Sequence, residues 1–183
     1  MYDRSKVGKR IGSGADSIVY QYGENQVIKF SSLHLLIGKK MRQKLRADYK
    51  LCKEYFNDFI VETEEVGDAN SSQHIEIQAY VKGVPLQAKH VRNPEVREQL
   101  ERIITALEKM EKEGHAPIDL IGYSGLLTRS LHNVLIDEKG KLRIIDATLF
   151  ETQSVGGIGL LFVPLFPLII AGQKRMLKSF LKK

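Results

Sequence analysis

Apolar and polar positions alternate along five short runs in the first half of the chain, and turn residues separate these runs. Alternation with a period of two is typical of β-strands that have one buried face. The first three runs follow one another closely, which predicts a strand meander, and a loop at 67–72 separates the last two. The predicted strands lie at 9–11, 17–20, 26–30, 59–66 and 73–81.

Two stretches have the composition or spacing of helices. Residues 36–56 are rich in Lys, Arg, Leu and Ala, which indicates a basic helix. A second helix is predicted to begin at Asn93-Pro94, because Asn caps helices and Pro fits the first turn, and to end at Gly114. Its apolar residues recur at helical spacing: Val96, Leu100, Ile103, Ile104, Leu107 and Met110.

Closer to the C-terminus, two apolar runs flank a polar turn at 137–140, which predicts a β-hairpin. Asn133 lies near the start of the first arm and Asp146 at the end of the second, so a hairpin places them at the same end. Amide and carboxylate oxygens are ligands that Mg²⁺ accepts together with substrate phosphates. The pattern indicates a magnesium–phosphate site, while an ordinary hairpin with polar ends is the competing interpretation.

The order of the predicted elements is five strands with one helix inserted, a second helix, a long loop and the hairpin. This order predicts an α+β chain in two lobes, joined by a turn at 82–85. At 183 residues, the chain has enough mass to bury a hydrophobic core.

The composition narrows the classes of partner. With 43% hydrophobic and 27% charged residues the chain is typical of soluble globular proteins, and its net charge of +6 suits phosphorylated ligands, nucleic acid or an anionic membrane. The single cysteine, Cys52, cannot form an intrachain disulfide. Since no N-terminal signal pattern is visible, we expect a reducing, cytoplasmic location.

Two features on the first three strands suit a phosphate ligand. The turn Gly12-Ser13-Gly14-Ala15 has glycines that let backbone amides approach phosphate oxygens. A strand follows this turn rather than a helix, so it is not a dinucleotide-binding fingerprint. Lys29 lies within an apolar run on the third strand, where it points either into a cleft toward an anion or to solvent.

Taken in chain order, these features resemble the protein kinase-like fold over residues 9–150. The matching motifs are a Gly-rich loop ending at Val19, Val27-Ile28-Lys29, the hinge Tyr80-Val81-Lys82-Gly83, Asn133-Val134-Leu135 and Ile144-Ile145-Asp146. The chain is more similar to small, divergent bacterial kinase-like proteins, of the lipopolysaccharide-kinase and RIO-like type, than to eukaryotic Ser/Thr kinases.

The resemblance implies one kinase-like domain with ATP and Mg²⁺ as cofactors. It implies an N-lobe at 1–81, with a five-stranded antiparallel sheet, and a reduced, mostly helical C-lobe at 82–183. Lys29 would hold the α- and β-phosphates, and Asn133 and Asp146 would hold Mg²⁺. The other nucleotide-binding positions would be Gly12, Ser13, Gly14, Ala15, Val19, Ala79 and Val81.

Three positions depart from the family pattern or leave a choice open. The glutamate that pairs with the family's lysine falls on Asp48 here, and Glu54 further along the helix is the other candidate. Ser17 stands where the family has a third loop glycine. The family's Asp-Phe-Gly is Asp146-Ala147-Thr148, which keeps the carboxylate and loses the phenylalanine.

The position of the catalytic aspartate is the least regular part of the match. Five residues before Asn133 stands Thr128, which taken literally makes the chain a pseudokinase. The alternative places Asp119-Leu120 after the helix stop, with 121–132 as an insertion, and Asp119 would then accept or orient the substrate hydroxyl proton. A competing interpretation is that Asp119 only caps its own loop.

Two histidines in this region are expected to be loop or core residues, since no spacing supports a zinc site. They are His115 and His132.

The C-terminal segment allows two interpretations. Residues 155–172 carry no charge but include three glycines and two prolines, and a basic stretch follows at 174–183. The segment is either a pair of buried C-lobe helices or a peripheral contact with an anionic membrane. Fewer than forty residues follow Asp146, so a large helical subdomain for peptide substrates is not expected.

The sequence therefore predicts a kinase-like phosphotransferase that moves the γ-phosphoryl group of ATP to a hydroxyl of a small molecule, glycolipid or protein. The alternative is a pseudokinase-type module that binds nucleotide or a partner with little or no turnover. Nucleic acid is the least favoured partner, because no basic stretch is interleaved with aromatic residues.

Overall fold

The five N-terminal strands form one antiparallel sheet. The computed structural model of the chain describes residues 2–13, 17–31, 38–66, 73–122, 128–153 and 163–182. The spatial order in the sheet is β1-β2-β3-β5-β4. The strands are β1 (Val7–Ser13), β2 (Ser17–Tyr22), β3 (Gln26–Ser31), β4 (Thr63–Glu65) and β5 (Ile75–Ala79).

A second, three-stranded antiparallel sheet consists of β6 (Gly83–Gln87), β7 (Ser130–Asp137) and β8 (Leu142–Ile144). The predicted hairpin is β7–β8. The turn predicted at 82–85 is wrong, because this segment is the start of β6. Glycine is required at its first position, since a Cβ on Gly83 would lie 2.5 Å from the carbonyl oxygen of Ile136.

Four α-helices complete the described part of the chain: α1 (Lys39–Phe56), α2 (Pro94–Lys112), α3 (Phe150–Gln153) and α4 (Phe166–Leu181). The predicted ends of α2 are confirmed. The Asn93 side chain accepts a hydrogen bond from the Glu95 N–H at 2.9 Å, and Gly114 has a φ of 87° just past the last turn.

The apolar side chains form two clusters. The smaller cluster covers one face of the five-stranded sheet and includes Ile28 and Ile77. The larger cluster lies beneath α1, α2 and the hairpin, and it includes Cys52 and Phe56 of α1. The sheet therefore uses one face for its own core, and the opposite face carries Lys29 and looks toward the rest of the molecule.

The segment between α1 and β4 ties the two sheets together. The Val61 N–H donates to the Ile144 carbonyl at 3.0 Å, and the Ile144 N–H donates to the Phe59 carbonyl at 2.8 Å. These bonds hold the end of β8 beside the five-stranded sheet. As a result, the residues that follow β8 lie under β3 and β5.

The helix α4 packs against the C-lobe core. Its Leu177 and Phe180 are buried, and the Leu181 carbonyl accepts a hydrogen bond from Arg97 Nη1 at 2.7 Å. In the described residues, no helix combines the length and apolar character that a membrane span needs. The segment 154–162, which includes part of the uncharged stretch, lies outside the described residues.

Candidate functional site

Lys29 projects from β3 toward the end of the β7–β8 hairpin. Its neighbours in register are Val19 on β2 and Glu76 on β5. The Lys29 Nζ donates a hydrogen bond to the Ile145 carbonyl at 2.7 Å, although the two residues are 116 positions apart in the chain. The lysine therefore points into the space between the lobes and not to solvent.

The hairpin brings the backbones of the two predicted metal ligands, Asn133 within β7 and Asp146 just after β8, close together. The Ile145 N–H donates to the Asn133 carbonyl at 3.0 Å, so Asn133 lies directly across from the residue before Asp146. Asp146 Oδ1 accepts hydrogen bonds from Thr148, at 3.0 Å from its N–H and 2.7 Å from its hydroxyl. An amide and a carboxylate are thus available at one end of the hairpin.

Asp119 lies against the same strand end. The Asn133 Nδ2 donates to the Asp119 carbonyl at 2.9 Å, and the Asp119 N–H donates to the Thr148 carbonyl at 3.2 Å. The Asp119 side chain is buried, and its Oδ1 accepts hydrogen bonds from the N–H groups of Ile121 at 3.0 Å and Gly122 at 2.9 Å. Asp119 Oδ1 therefore stabilises the backbone of the loop that carries Asp119.

Hydrogen bonds connect all four predicted catalytic and metal-binding residues within one region. Lys29 bonds to Ile145, Ile145 to Asn133, and Asn133 to Asp119. Asp146 follows Ile145 directly in the chain. A solvent-open pocket lies beside this region, and of the four residues it is lined by Asp146. Its lining includes Tyr49 and Leu45 of α1, Glu76 and Gln78 of β5, and Asp146 and Thr148.

Solved structures with this arrangement of strands and helices include crystal structures of the PknI kinase domain of Mycobacterium tuberculosis. One superposes with a TM-score of 0.51 at 17% sequence identity, covering 77% of this chain and 57% of that domain. A single-residue variant gives 0.52 at 18% with the same coverage, and a double variant gives 0.52 at 17%, covering 77% and 59%. The chain has a protein kinase-like fold.

This similarity confirms the predicted fold and the α+β class. At 17–18% identity it establishes the fold and not an activity, and the chain spans 57–59% of the length of those kinase domains. No protein-family model and no curated protein sequence matches the chain. The structure is accordingly a reduced kinase-like fold, in which the five-stranded sheet faces a smaller helical part.

The acidic residues of α1 differ from the expectation for a kinase-like fold. The Asp48 Oδ2 accepts a hydrogen bond from the Leu149 N–H at 3.3 Å, at the start of α3, and the described residues show no ion pair between Asp48 and Lys29. Glu54 is exposed. The expected pairing is therefore not observed, because Asp48 faces α3 and Glu54 faces solvent.

The pKa of Asp48 reflects this position. Burial raises the pKa of its carboxyl above the ordinary value, against the lowering effects of Thr152, the Leu149 N–H and the Lys44 charge. Asp48 thus serves the packing of α1 against α3.

Glu76 is an acidic residue of the site that the sequence analysis did not single out. It is next to Lys29 in register and half-buried in the cleft. Burial alone would raise the pKa of the Glu76 carboxyl, but the His74 hydrogen bond and the charges of Lys29 and His74 outweigh burial and hold it below the ordinary value. Glu76 therefore stays ionised beside Lys29.

Gln173 of α4 is a second residue that the sequence analysis missed. Its Oε1 accepts from the Leu120 N–H at 2.8 Å and its Nε2 donates to the Ile118 carbonyl at 2.9 Å, so it holds the backbone on both sides of Asp119. Gln173 is 1% exposed. The sequence gives no clear signal for this role, because Gln173 stands between the uncharged stretch at 155–172 and the basic stretch at 174–183.

Those of the predicted nucleotide-binding positions that the structure describes lie at the ends of β1 and β5, within β2 and in the link to β6. Gly12 and Ser13 end β1 and pair with Val19 and Ile18 of β2, while Gly14 and Ala15 lie outside the described residues. Ala79 is exposed at the end of β5 and Val81 is partly exposed in the link to β6. Their roles toward a nucleotide remain predictions.

The remaining candidates are the two histidines, of which His132 lies on β7. His132 lies 2.9 Å from the hydroxyl of Thr128 through its Nε2, and His115 is exposed, with its ring centroid 5.9 Å from that of Tyr55. Within the ranges described, no group of three or more His, Cys, Asp or Glu side chains could hold a metal ion.

Proposed function

We propose that this chain is a phosphotransferase that binds ATP with Mg²⁺ between its lobes and moves the γ-phosphoryl group to a hydroxyl acceptor. The observation that carries the proposal is the hydrogen-bonded series Lys29, Ile145, Asn133 and Asp119, which gathers residues from β3, the β7–β8 hairpin and the loop of Asp119. A cation, two oxygen ligands and a carboxylate in one region are the parts that phosphoryl transfer requires.

The residues present fit ATP and Mg²⁺. Asn133 on β7 and Asp146 just after β8 offer hard oxygen donors from neighbouring parts of the hairpin, which suits a divalent cation shared with phosphates. Lys29 offers a fixed positive charge on the cleft face of β3. When bound, the metal ion would neutralise phosphate charge.

The chain's own residues then account for positioning. Lys29 would hold the α- and β-phosphates, and Asp119 would orient the acceptor hydroxyl and take its proton at the carboxylate. Because Asp119 is held by its loop amides and by Asn133, its position changes little during the reaction.

The test is ADP formation from ATP and Mg²⁺ by the purified chain, with Asp119→Asn as the main variant. We expect slow turnover by the wild type, loss of turnover in Asp119→Asn, and retained thermal stabilisation by the nucleotide. Glu138→Gln, in the exposed turn of the hairpin, is the matched control and should turn over ATP like the wild type. Unchanged ADP formation in Asp119→Asn would remove this residue from the catalytic role.

A second candidate is a pseudokinase-type module that binds nucleotide or a partner without turnover. Two observations favour it: Asp119 is buried with one oxygen committed to its own loop, and no α1 carboxylate pairs with Lys29 in the described residues. Thermal stabilisation by ATP without ADP formation would support this candidate over the enzyme.

We also propose a cytoplasmic location with peripheral contact between residues 155–183 and an anionic membrane. In the described part of this segment, Leu165 and Leu168 are 45% and 71% exposed, and exposed basic residues follow at Lys174, Arg175, Lys178 and Lys182. Exposed apolar groups beside a basic face suit a membrane surface. Cosedimentation with phosphatidylserine liposomes, lost in Leu168→Glu, tests the contact, and absence of binding contradicts it.

A further inference from the structure

Lys29 belongs to a row of side chains that crosses the cleft face of the five-stranded sheet. Cross-strand pairs run from Val19 to Lys29, from Lys29 to Glu76, and from Glu76 to Glu65. Directly opposed residues on antiparallel strands have Cβ atoms about 4.5–5.5 Å apart on the same face. Glu76 is thus the carboxylate residue that the sheet itself places next to Lys29.

A buried histidine extends this row toward the helix α1. The His74 Nε2 lies 2.8 Å from Glu76 Oε1, and its Nδ1 lies 3.7 Å from Glu65 Oε1. Glu65 in turn pairs with Arg46 and lies 3.9 Å from Arg42 Nη1, both on α1. The side chains of α1 therefore reach Glu76, the register neighbour of Lys29, through Glu65 and His74.

Two atoms of this series are buried and lack a hydrogen-bond partner among the described residues. They are Glu65 Oε1 and His74 Nδ1, the same two atoms that face each other at 3.7 Å. A buried polar atom without a partner is costly, and an approach of about half an ångström would bring the pair within hydrogen-bond distance. The series is therefore one short movement away from a continuous network.

The carboxylates of α1 are committed elsewhere. Asp48 accepts from the Leu149 N–H, and Glu54 is exposed on the solvent face of α1. In a kinase-like fold the helix is expected to supply the partner of the lysine. Here the neighbouring strand supplies a carboxylate in register instead.

We infer that Glu76 is the anionic partner that positions Lys29, and that His74 and Glu65 connect this pair to Arg46 on α1. The inference rests on the proposed function, since it assigns a partner to the lysine that would contact the phosphates. Glu76 is a positioning residue, because it acts through the Lys29 amino group. A partner on β5 fixes the lysine through the sheet rather than through α1.

The first experiment measures the coupling between the two side chains without nucleotide. Urea unfolding is compared for the wild type, Glu76→Gln, Lys29→Met and the double variant. We expect the double variant to lose less stability than the sum of the single losses, since each single change removes the same interaction. Glu64→Gln is the matched control, because Glu64 is exposed on β4 and its effect should add to that of Lys29→Met.

The second experiment separates positioning from folding. We expect Glu76→Gln to lower kcat for ADP formation roughly tenfold to a hundredfold, with a smaller change in the Kd for ATP, because a misplaced lysine affects the transition state most. Glu76→Asp keeps the charge and should recover part of the loss. It also replaces Glu76→Gln in the unfolding series if the latter does not fold.

The combined outcomes test the assignment of Glu76 separately from the proposed function. Additive unfolding effects, or a kcat in Glu76→Gln equal to that of the wild type, would overturn the assignment of Glu76, while ADP formation by the wild type sustains the proposed function. If the unfolding effects of the variants are non-additive but the wild type binds no ATP, the pairing of Glu76 with Lys29 is sustained and the proposed function is overturned. Additive effects together with no ATP binding would overturn both.

Discussion

The side-chain amide of Gln173 holds both peptide groups that flank Asp119. Its Oε1 accepts from the Leu120 N–H at 2.8 Å, and its Nε2 donates to the Ile118 carbonyl at 2.9 Å. Gln173 lies on α4, 53 residues after Leu120 in the chain. The C-terminal helix therefore supports the segment that carries the candidate catalytic carboxylate.

The first prediction concerns Gln173→Leu. This change keeps an apolar helix but leaves the Leu120 N–H and the Ile118 carbonyl buried without partners, which costs about 1–3 kcal/mol for each group. We expect a loss of this order in the free energy of unfolding, measured by urea denaturation. We also expect ADP formation to fall more than ATP binding, since Asp119 loses its support and the phosphate-binding residues do not.

A variant on the same helix controls for a general effect on α4. Lys178→Ala changes an exposed side chain of α4 and should leave stability and turnover within experimental error of the wild type. If Gln173→Leu retains wild-type kcat, then α4 holds no catalytic segment in place and acts in packing alone.

The second prediction concerns Asp48→Asn. Because burial raises the pKa of Asp48, the folded chain disfavours its charge, and that cost is present at neutral pH and falls as the pH drops below the raised pKa. An amide keeps an acceptor for the Leu149 N–H without the charge. We expect unchanged or slightly higher stability at pH 7, and ATP binding equal to that of the wild type by calorimetry.

Lys29→Met provides the contrast in the same assay. Loss of the phosphate-binding cation should abolish or greatly weaken ATP binding, whereas Asp48→Asn should not. Equal losses in the two variants would show that Asp48 serves the lysine in the nucleotide-bound state, contrary to the contacts seen here.

Much of the fold follows from local pattern. Several strands of the N-lobe show apolar–polar alternation, as in Ile75–Ala79, and α2 carries its own start and stop signals in Asn93 and Gly114, so these elements could be predicted without knowledge of tertiary contacts. The β6 strand could not, since Gly83 and Pro85 are typical of turns. It pairs with β7 because glycine at 83 allows the Ile136 carbonyl to approach closely. The pairing also accommodates a register shift between Pro85 and Leu86.

The candidate site likewise has a part that follows from local pattern and a part that depends on tertiary contacts. The placement of Lys29 on β3, of Asn133 on β7 and of Asp146 just after β8 could be predicted, because it follows from the local pattern of strands and hairpin. The partners of Asp48 and Gln173 could not, since the contacting residues are 101 and 53 positions away and depend on how the helices pack. Glu76 was overlooked because its importance comes from the strand beside it.

The third prediction concerns Gly83→Ala. The added Cβ would lie 2.5 Å from the Ile136 carbonyl oxygen, and this neighbour is backbone in a paired strand. We expect a loss of about 1–3 kcal/mol in the free energy of unfolding, because β6 must move away from β7. Gly12→Ala is the control, since nothing lies within 4 Å of a Cβ there. Equal stability of the two variants would contradict a close contact at 83.

The fourth prediction concerns the pH dependence of the hairpin turn. Burial would raise the pKa of Asp137, but hydrogen bonds from the N–H groups of Lys141 and Lys139, both at 2.9 Å, and from Arg143 outweigh burial and lower it. A lowered pKa stabilises the fold fully above the unfolded value of about 3.9, and this contribution is lost as the pH falls through the folded value. We therefore expect the stability difference between the wild type and Asp137→Asn, from urea unfolding, to be largest at pH 6–7 and to shrink below about pH 4. Glu138→Gln, at the exposed neighbouring position, is the control, and its stability difference from the wild type should not change with pH in this way. If the stability difference for Asp137→Asn stays constant down to about pH 2, the charge of Asp137 is not its source.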